Sequence, residues 1–257
     1  MTVHIGTSGW SYDHWNGVLY PQGLRPADRL QRYVAEFDTV ELNASFYRWP
    51  PAVRFRAWRG RLPPGFGMSA KAPRGLTHAK KLYAPEIWLE RMTAGWHELG
   101  DRRGVLLLQL PPTMERDDER LGYFLARVPG WMRVAVELRH PSWNADEVFG
   151  MLERFNTAYC VMSGAQLPCI LRATADIVYV RLHGPSREHL YGGSYSDEDL
   201  SWNGLEPGFL PGGADRDHRT SCCLPSTRPS PSASGPPPAP RPWPPSRPRR
   251  SCPVRSP

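Results

Sequence analysis

Val105-Leu106-Leu107-Leu108-Gln109-Leu110 is the stretch that most narrows the fold of this chain. Side chains alternate faces along a strand, so a strand wet on one side alternates apolar with polar. This one is apolar on both faces until Gln109, and Pro111-Pro112 then end it. Burial on both faces is the mark of a parallel strand covered by helices. The expected class is therefore α/β.

Six further segments read as strands: Val3–Gly6, Thr39–Leu42, Gly65–Lys71, Met132–Leu138, Thr157–Met162 and Ile177–Leu182. Apolar residues at helical spacing lie between them. They include Leu30, Tyr33, Val34 and Phe37 within 24–37, a short helix over Ala52–Trp58, and Ile87, Met92, Trp96 and Leu99 after Pro85. Two more helices are expected over 117–128 and 145–155, the latter with Asn144 as N-cap. Ser196-Asp197-Glu198-Asp199 has the form of a capping box. Strand–helix alternation at this spacing predicts a parallel sheet. The length and the strand count favour a TIM-type (β/α)8 barrel over a doubly wound sheet. No glycine fingerprint for a dinucleotide or a phosphate loop follows the first strand.

The pattern stops after Trp202. Asn203-Gly204, Pro207-Gly208 and Pro211-Gly212-Gly213 follow, and 13 of the 43 residues from Asp215 onward are proline. Such a composition predicts disorder, because too little apolar surface is available to offset the ordering entropy. The expected organisation is a barrel domain at 1–202 and a Pro/Arg/Ser-rich tail at 203–257. The barrel is then incomplete, with its eighth strand and helix missing and two strand edges exposed. A tail with arginine but no lysine is what a frameshift in a GC-rich gene would yield. A selected arm for nucleic acid or an aromatic groove is the other reading.

The charge has to be divided in the same way. Eight arginines and two aspartates give residues 215–257 a net +6, so residues 1–214 hold only +1 of the chain's +7. Overall basicity is thus no argument for nucleic-acid binding by the barrel. Cys160 and Cys169 show no zinc-type spacing and read as reduced thiols. No basic segment leads into an apolar run at the start, and no apolar run approaches the roughly 20 residues that span a bilayer. The expectation is a cytoplasmic protein with no membrane partner.

The chemistry-bearing side chains cluster at strand ends. Thr39–Pro50, TVELNASFYRWP, sets Glu41, Asn43, Arg48 and three aromatics within nine residues. Lys71 and Gln109 close two other strands, and Glu137 with Arg139 and Arg181 with His183 close two more. Paired members stand two apart and so share a face. In a parallel barrel these ends meet at one mouth, where ligands bind. Glu41 and Glu137 are the acid/base candidates. Lys71, Arg139 and Arg181 form a candidate anion clamp, and Asn43, Gln109 and His183 would orient the ligand. Trp10, Tyr12, Trp15, Phe46, Tyr47 and Trp143 are candidate stacking walls. A plain ion-pair network lining the barrel is the competing reading of Glu137, Arg139 and Arg181. His183 with Glu41 and Glu137 lacks HxH or HExxH spacing, so no metal is expected, and the sequence identifies no cofactor.

Six blocks in order carry a resemblance: IGTSGWSYDHW at 5–15, VELNASFYRWP at 40–50, SAKAPRGLTH at 69–78, LLLQLPPTM at 106–114, VAVELRHPSW at 134–143, and YVRLHG with LYGGSYSDEDL within 179–200. Together they resemble the YecE-like proteins, domain of unknown function 72. The resemblance implies a TIM-type barrel, usually bacterial and cytoplasmic, with no assigned activity. That family usually closes with a strand of the type YVYFNND and a final helix, which nothing after Trp202 matches. The function expected from the residues is a pocket for a small anionic or phosphorylated ligand, with hydrolase- or isomerase-like acid/base chemistry. The alternatives are a non-catalytic nucleic-acid binder or an inactive truncated product.

Overall fold

A computed structural model of the chain describes residues 2–164, 167–186, 195 and 219–224. Seven parallel strands curl into an α/β half-barrel: β1 (Thr2–Ser8), β2 (Thr39–Leu42), β3 (Gly67–Lys71), β4 (Arg103–Gln109), β5 (Val134–Glu137), β6 (Ala158–Ser163) and β7 (Ile177–Leu182). Each pairs with the next in parallel register, for example Glu41↔Ser69 and Gln109↔Glu137.

The eighth place, expected to be empty, is filled. Arg219–Leu224 forms β8, parallel to β7 from Ile177↔Arg219 to Arg181↔Cys223 and to β1 from Thr2↔Arg219 to Thr7↔Leu224. The strand order then runs from β1 to β8 as a closed barrel. The strand comes from inside the stretch read as a disordered tail. Its six residues contain no proline. The edges of β1 and β7 each present a row of backbone donors and acceptors, and these recognise another backbone rather than a particular sequence. The helix expected to open at the Ser196 capping box, and the place of the eighth helix expected to be missing, lie outside the described residues.

The helices are α1 (Arg29–Tyr33), α2 (Ala52–Arg59), α3 (Glu86–Trp96), α4 (Asp118–Leu125) and α5 (Asp146–Arg154). Asp117 caps α4 through a 2.9 Å bond from the Arg120 N–H. Helix α5 starts from Ala145 rather than from Asn144. Helix α1 is shorter than its apolar spacing suggests, and Pro26–Asp28 before it is a 3-10 turn. Among the described residues no helix is long and apolar enough to cross a membrane.

Strand parity separates two apolar layers. Val40, Leu42, Met68, Leu106, Leu108, Val134 and Val136 face outward onto Phe55, Met92, Trp96 and Phe124 of the helices. Val105, Leu107, Ala135, Ala158, Cys160, Ile177 and Tyr179 fill the barrel interior. The unbroken apolar run of β4 is explained by its serving both layers. Gly6 lets β1 approach β2, since a Cβ there would stand 2.0 Å from the Thr39 carbonyl oxygen. Glu41, Lys71, Gln109, Glu137 and Arg181 have the inward parity, and all are buried.

Candidate functional site

A charged layer caps the apolar interior at the C-terminal ends of the strands. Arg181, 4% exposed, is its centre. Its Nε and Nη2 donate to the two oxygens of Glu41 at 3.0 and 2.9 Å, and its Nη1 donates to Glu137. The position between the two carboxylates, where a bound cation would sit, is thus taken by the chain's own guanidinium. Tyr179 Oη and Ser8 Oγ each donate to Glu41 at 2.9 Å. Gln109 Nε2 donates to Glu137 at 2.7 Å, and Arg139 Nε does so at 2.6 Å. His183 Nε2 lies 3.6 Å from Glu137, 3.2 Å from Arg139 Nη2 and 3.1 Å from Arg181 Nη1.

Electrostatics follow from this packing. Full burial pushes the Glu137 carboxyl up, but Arg181, the His183 hydrogen bond and Arg139 outweigh it and hold the group well below the ordinary carboxylate range. Burial works against the Arg181 charge too, yet Glu137 and Glu41 raise its pKa well above the ordinary guanidinium value. Both charges therefore persist.

Lys71 is the exception in the layer. Its residue is 7% exposed, and Nζ stands 4.3 Å from the centre of the Phe46 ring. Among the described residues no carboxylate lies within ion-pair distance of it and no acceptor takes its hydrogen bonds. Burial, then Arg181, lower its pKa to about 8, while Glu41 and Glu137 oppose them. His78 packs edge-on to the same Phe46 ring, with centroids 5.0 Å apart. It belongs to the π-helical turn Gly75–Ala79, and Nδ1 is 2.9 Å from Thr77 Oγ1. Burial and the nearby Lys71 and Arg74 lower its pKa.

Seven of the eight candidate residues thus come together: Glu41, Lys71, Gln109, Glu137, Arg139, Arg181 and His183. Asn43 does not join them. Strand β2 ends at Leu42, and Asn43 has helical backbone angles at the start of the turn Ala44–Phe46. Two stacking candidates are packing residues. Trp143 is 1% exposed and donates Nε1–H to the Met114 carbonyl, and Trp15 stacks on Tyr33. The spacing argument missed Tyr179 and His78. Tyr179 shares the parity of Arg181 and was legible on that ground; no local signal marks His78.

A cavity of about 180 Å3 adjoins Arg139 and is lined also by His140, Asn144, Tyr159 and Ile170. A larger one of about 390 Å3 lies between Leu82–Ala84 and Asp117–Tyr123, lined by residues outside the charged layer. The site is placed by its converging charges rather than by cavity size.

The sequence profile described as "Protein of unknown function DUF72" matches residues 4–204. The chain belongs to the DUF72 family. It is 28% identical over 204 residues to YunF of Bacillus subtilis, a UPF0759 protein, covering 72% of this chain and 71% of YunF. It is 28% identical over 144 residues to YecE of Escherichia coli, spanning 56% of this chain and half of YecE. A crystal structure of a DUF72 family protein from Thermotoga maritima superposes with a TM-score of 0.75 at 28% identity, covering 87% of this chain and 92% of that one. A DUF72 family protein from Enterococcus faecalis matches with a TM-score of 0.64 at 16% identity, over 88% and 91% of the two chains, which speaks for the fold alone. The blocks that carried the resemblance thus mark a true member. The family carries no assigned function.

Proposed function

We propose that the barrel mouth binds a small anionic ligand and carries out proton-transfer chemistry on it. The observation that supports this most directly is Lys71: a buried ammonium at the end of β3 that, among the described residues, has no carboxylate within ion-pair distance. Burying a charge without a partner is costly, so such a group marks a place where a partner arrives from outside. Among the described residues, three cationic side chains, Lys71, Arg139 and Arg181, face two carboxylates at this end of the barrel.

In this reading the roles shift within the same set of residues. Glu41 and Glu137 already accept several bonds each and hold the arginines in place. Lys71, its pKa lowered to about 8, is placed to exchange a proton near neutral pH, with His78 packed against the same Phe46 ring. Arg139 and His183 flank the ligand's anionic end.

Calorimetric titration with inorganic phosphate and with glycolate tests the reading. Replacing Lys71 with Met removes one charge-assisted hydrogen bond, worth about 1.5–3 kcal/mol, so affinity is expected to fall roughly 10- to 150-fold. Equal affinity of wild type and Lys71→Met for both anions would remove the basis of the proposal.

A further inference from the structure

The chain holds 32 basic side chains, of which only Lys71, Lys80 and Lys81 are lysine. Holding an anion does not explain a lysine at the first of these positions. Arginine grips a carboxylate or phosphate with two parallel bonds and keeps its charge, and the same layer uses it twice, at Arg139 and Arg181. What a lysine adds is an amine that turns nucleophilic once its proton leaves. Lys71 has the surroundings that favour this. It is buried at a strand end inside the barrel, against an aromatic face, beside cations and, among the described residues, clear of carboxylates at contact distance.

We propose that Lys71 is a nucleophilic amine that forms an imine with a carbonyl compound carrying an anionic group. The proposal rests on the mouth being an anion site and names the substrate class for it. The neutral amine nitrogen adds to the carbonyl carbon, and the C=O electron pair moves onto oxygen to give a carbinolamine. That oxygen then leaves as water with the two hydrogens of the amine, and a C=N bond remains. Protonation of the imine restores the positive charge that the ammonium had, now conjugated to the substrate carbon. With a pKa of about 8, roughly a tenth of the amine is neutral at pH 7, against fewer than about one in a thousand for an ordinary exposed lysine. The charged groups that set this balance are Arg181 and Arg139 on one side and Glu41 and Glu137 on the other; His78, across the Phe46 ring from Lys71, has its own pKa lowered by burial, then by Lys71 and Arg74.

Glyoxylate, a small aldehyde with a carboxylate, is the probe. The full chain is incubated with glyoxylate and cyanoborohydride, which reduces an imine to a stable carboxymethyl amine, and the modified lysines are mapped by peptide mass. Lys71 is expected to be modified at least about tenfold faster than the exposed Lys80, with a rate that rises through pH 8. Lys71→Arg should lose that adduct, and the unaltered chain should bind glycolate, which has a hydroxyl where glyoxylate has its aldehyde. Modification of Lys71 no faster than Lys80 overturns the imine, and if glycolate still binds, the anion site stands without it. Failure of both the adduct and glycolate binding overturns the two together.

Discussion

Replacing Glu137 with Gln tests the charged layer at its tightest point. The substitution keeps the side chain's shape and removes one negative charge. Glu137 is wholly buried and accepts from Arg181, Arg139 and Gln109. An amide offers one oxygen in place of two and turns an NH2 group toward those donors. Arg181 keeps its two-pronged grip on Glu41, whereas Arg139 loses its carboxylate. Removing one partner of a buried ion pair costs roughly 3–5 kcal/mol, and the surviving Glu41 contact places this case at the low end, about 3 kcal/mol. Urea unfolding followed by the ten tryptophans reads the change. With a slope of about 3 kcal/mol/M, the midpoint falls by about 1 M. The pH dependence has a definite sign. The folded carboxyl lies well below its unfolded value of about 4.3. Its contribution is therefore complete above that pH and is lost as pH falls through the folded value. The gap between wild type and variant should stay level from pH 7 to about 4.3 and close only in stronger acid. A midpoint change under about 0.3 M at pH 7 would show that the network does not bear on stability. A gap that closes between about pH 6 and 8 would show that Glu137 is not held ionised as described.

Lys71→Met is expected to be more stable than wild type at pH 7, by on the order of 1–3 kcal/mol, because burial lowers the lysine from its usual value to about 8. The unfolded lysine still binds a proton between about pH 8 and 10.4 that the folded one has released, so the variant's advantage fades across that window. Urea midpoints at pH 7, 9 and 10.5 check this, and a variant less stable at pH 7 contradicts it. A chain ending after residue 224 should stay dispersed in size-exclusion chromatography with light scattering, whereas one ending at 212 leaves β1 and β7 with open edges and should aggregate. Equal behaviour of the two truncations would count against β8 as the closing strand.

The parts of this molecule that could be read from sequence are those set by a period of two. The inward parity of Glu137 and Arg181 follows from their places in short strands, and the next inward position after each, Arg139 and His183, falls at the same mouth. Asn43 shows the limit of that rule. Spacing of two keeps a shared face only while the strand continues, and here the chain turns into a 3-10 helix at Ala44. The bond from Arg181 to Glu41 joins residues 140 apart, and no local pattern encodes which of two carboxylates a guanidinium will hold, let alone that it holds both. Strand β8 was hidden for a related reason. Its place is specified less by its own side chains than by two vacant backbone edges, a property of β1 and β7 that exists only once the other seven strands have curled. The same dependence bears on Lys71. A lysine that closes a strand has an ordinary pKa until the barrel surrounds it, and its depressed value is a product of burial and of arginines contributed by β7 and the β5 end. Reactivity at this mouth therefore requires the assembled ring: whatever opens it should return Lys71 toward the behaviour of the exposed Lys80.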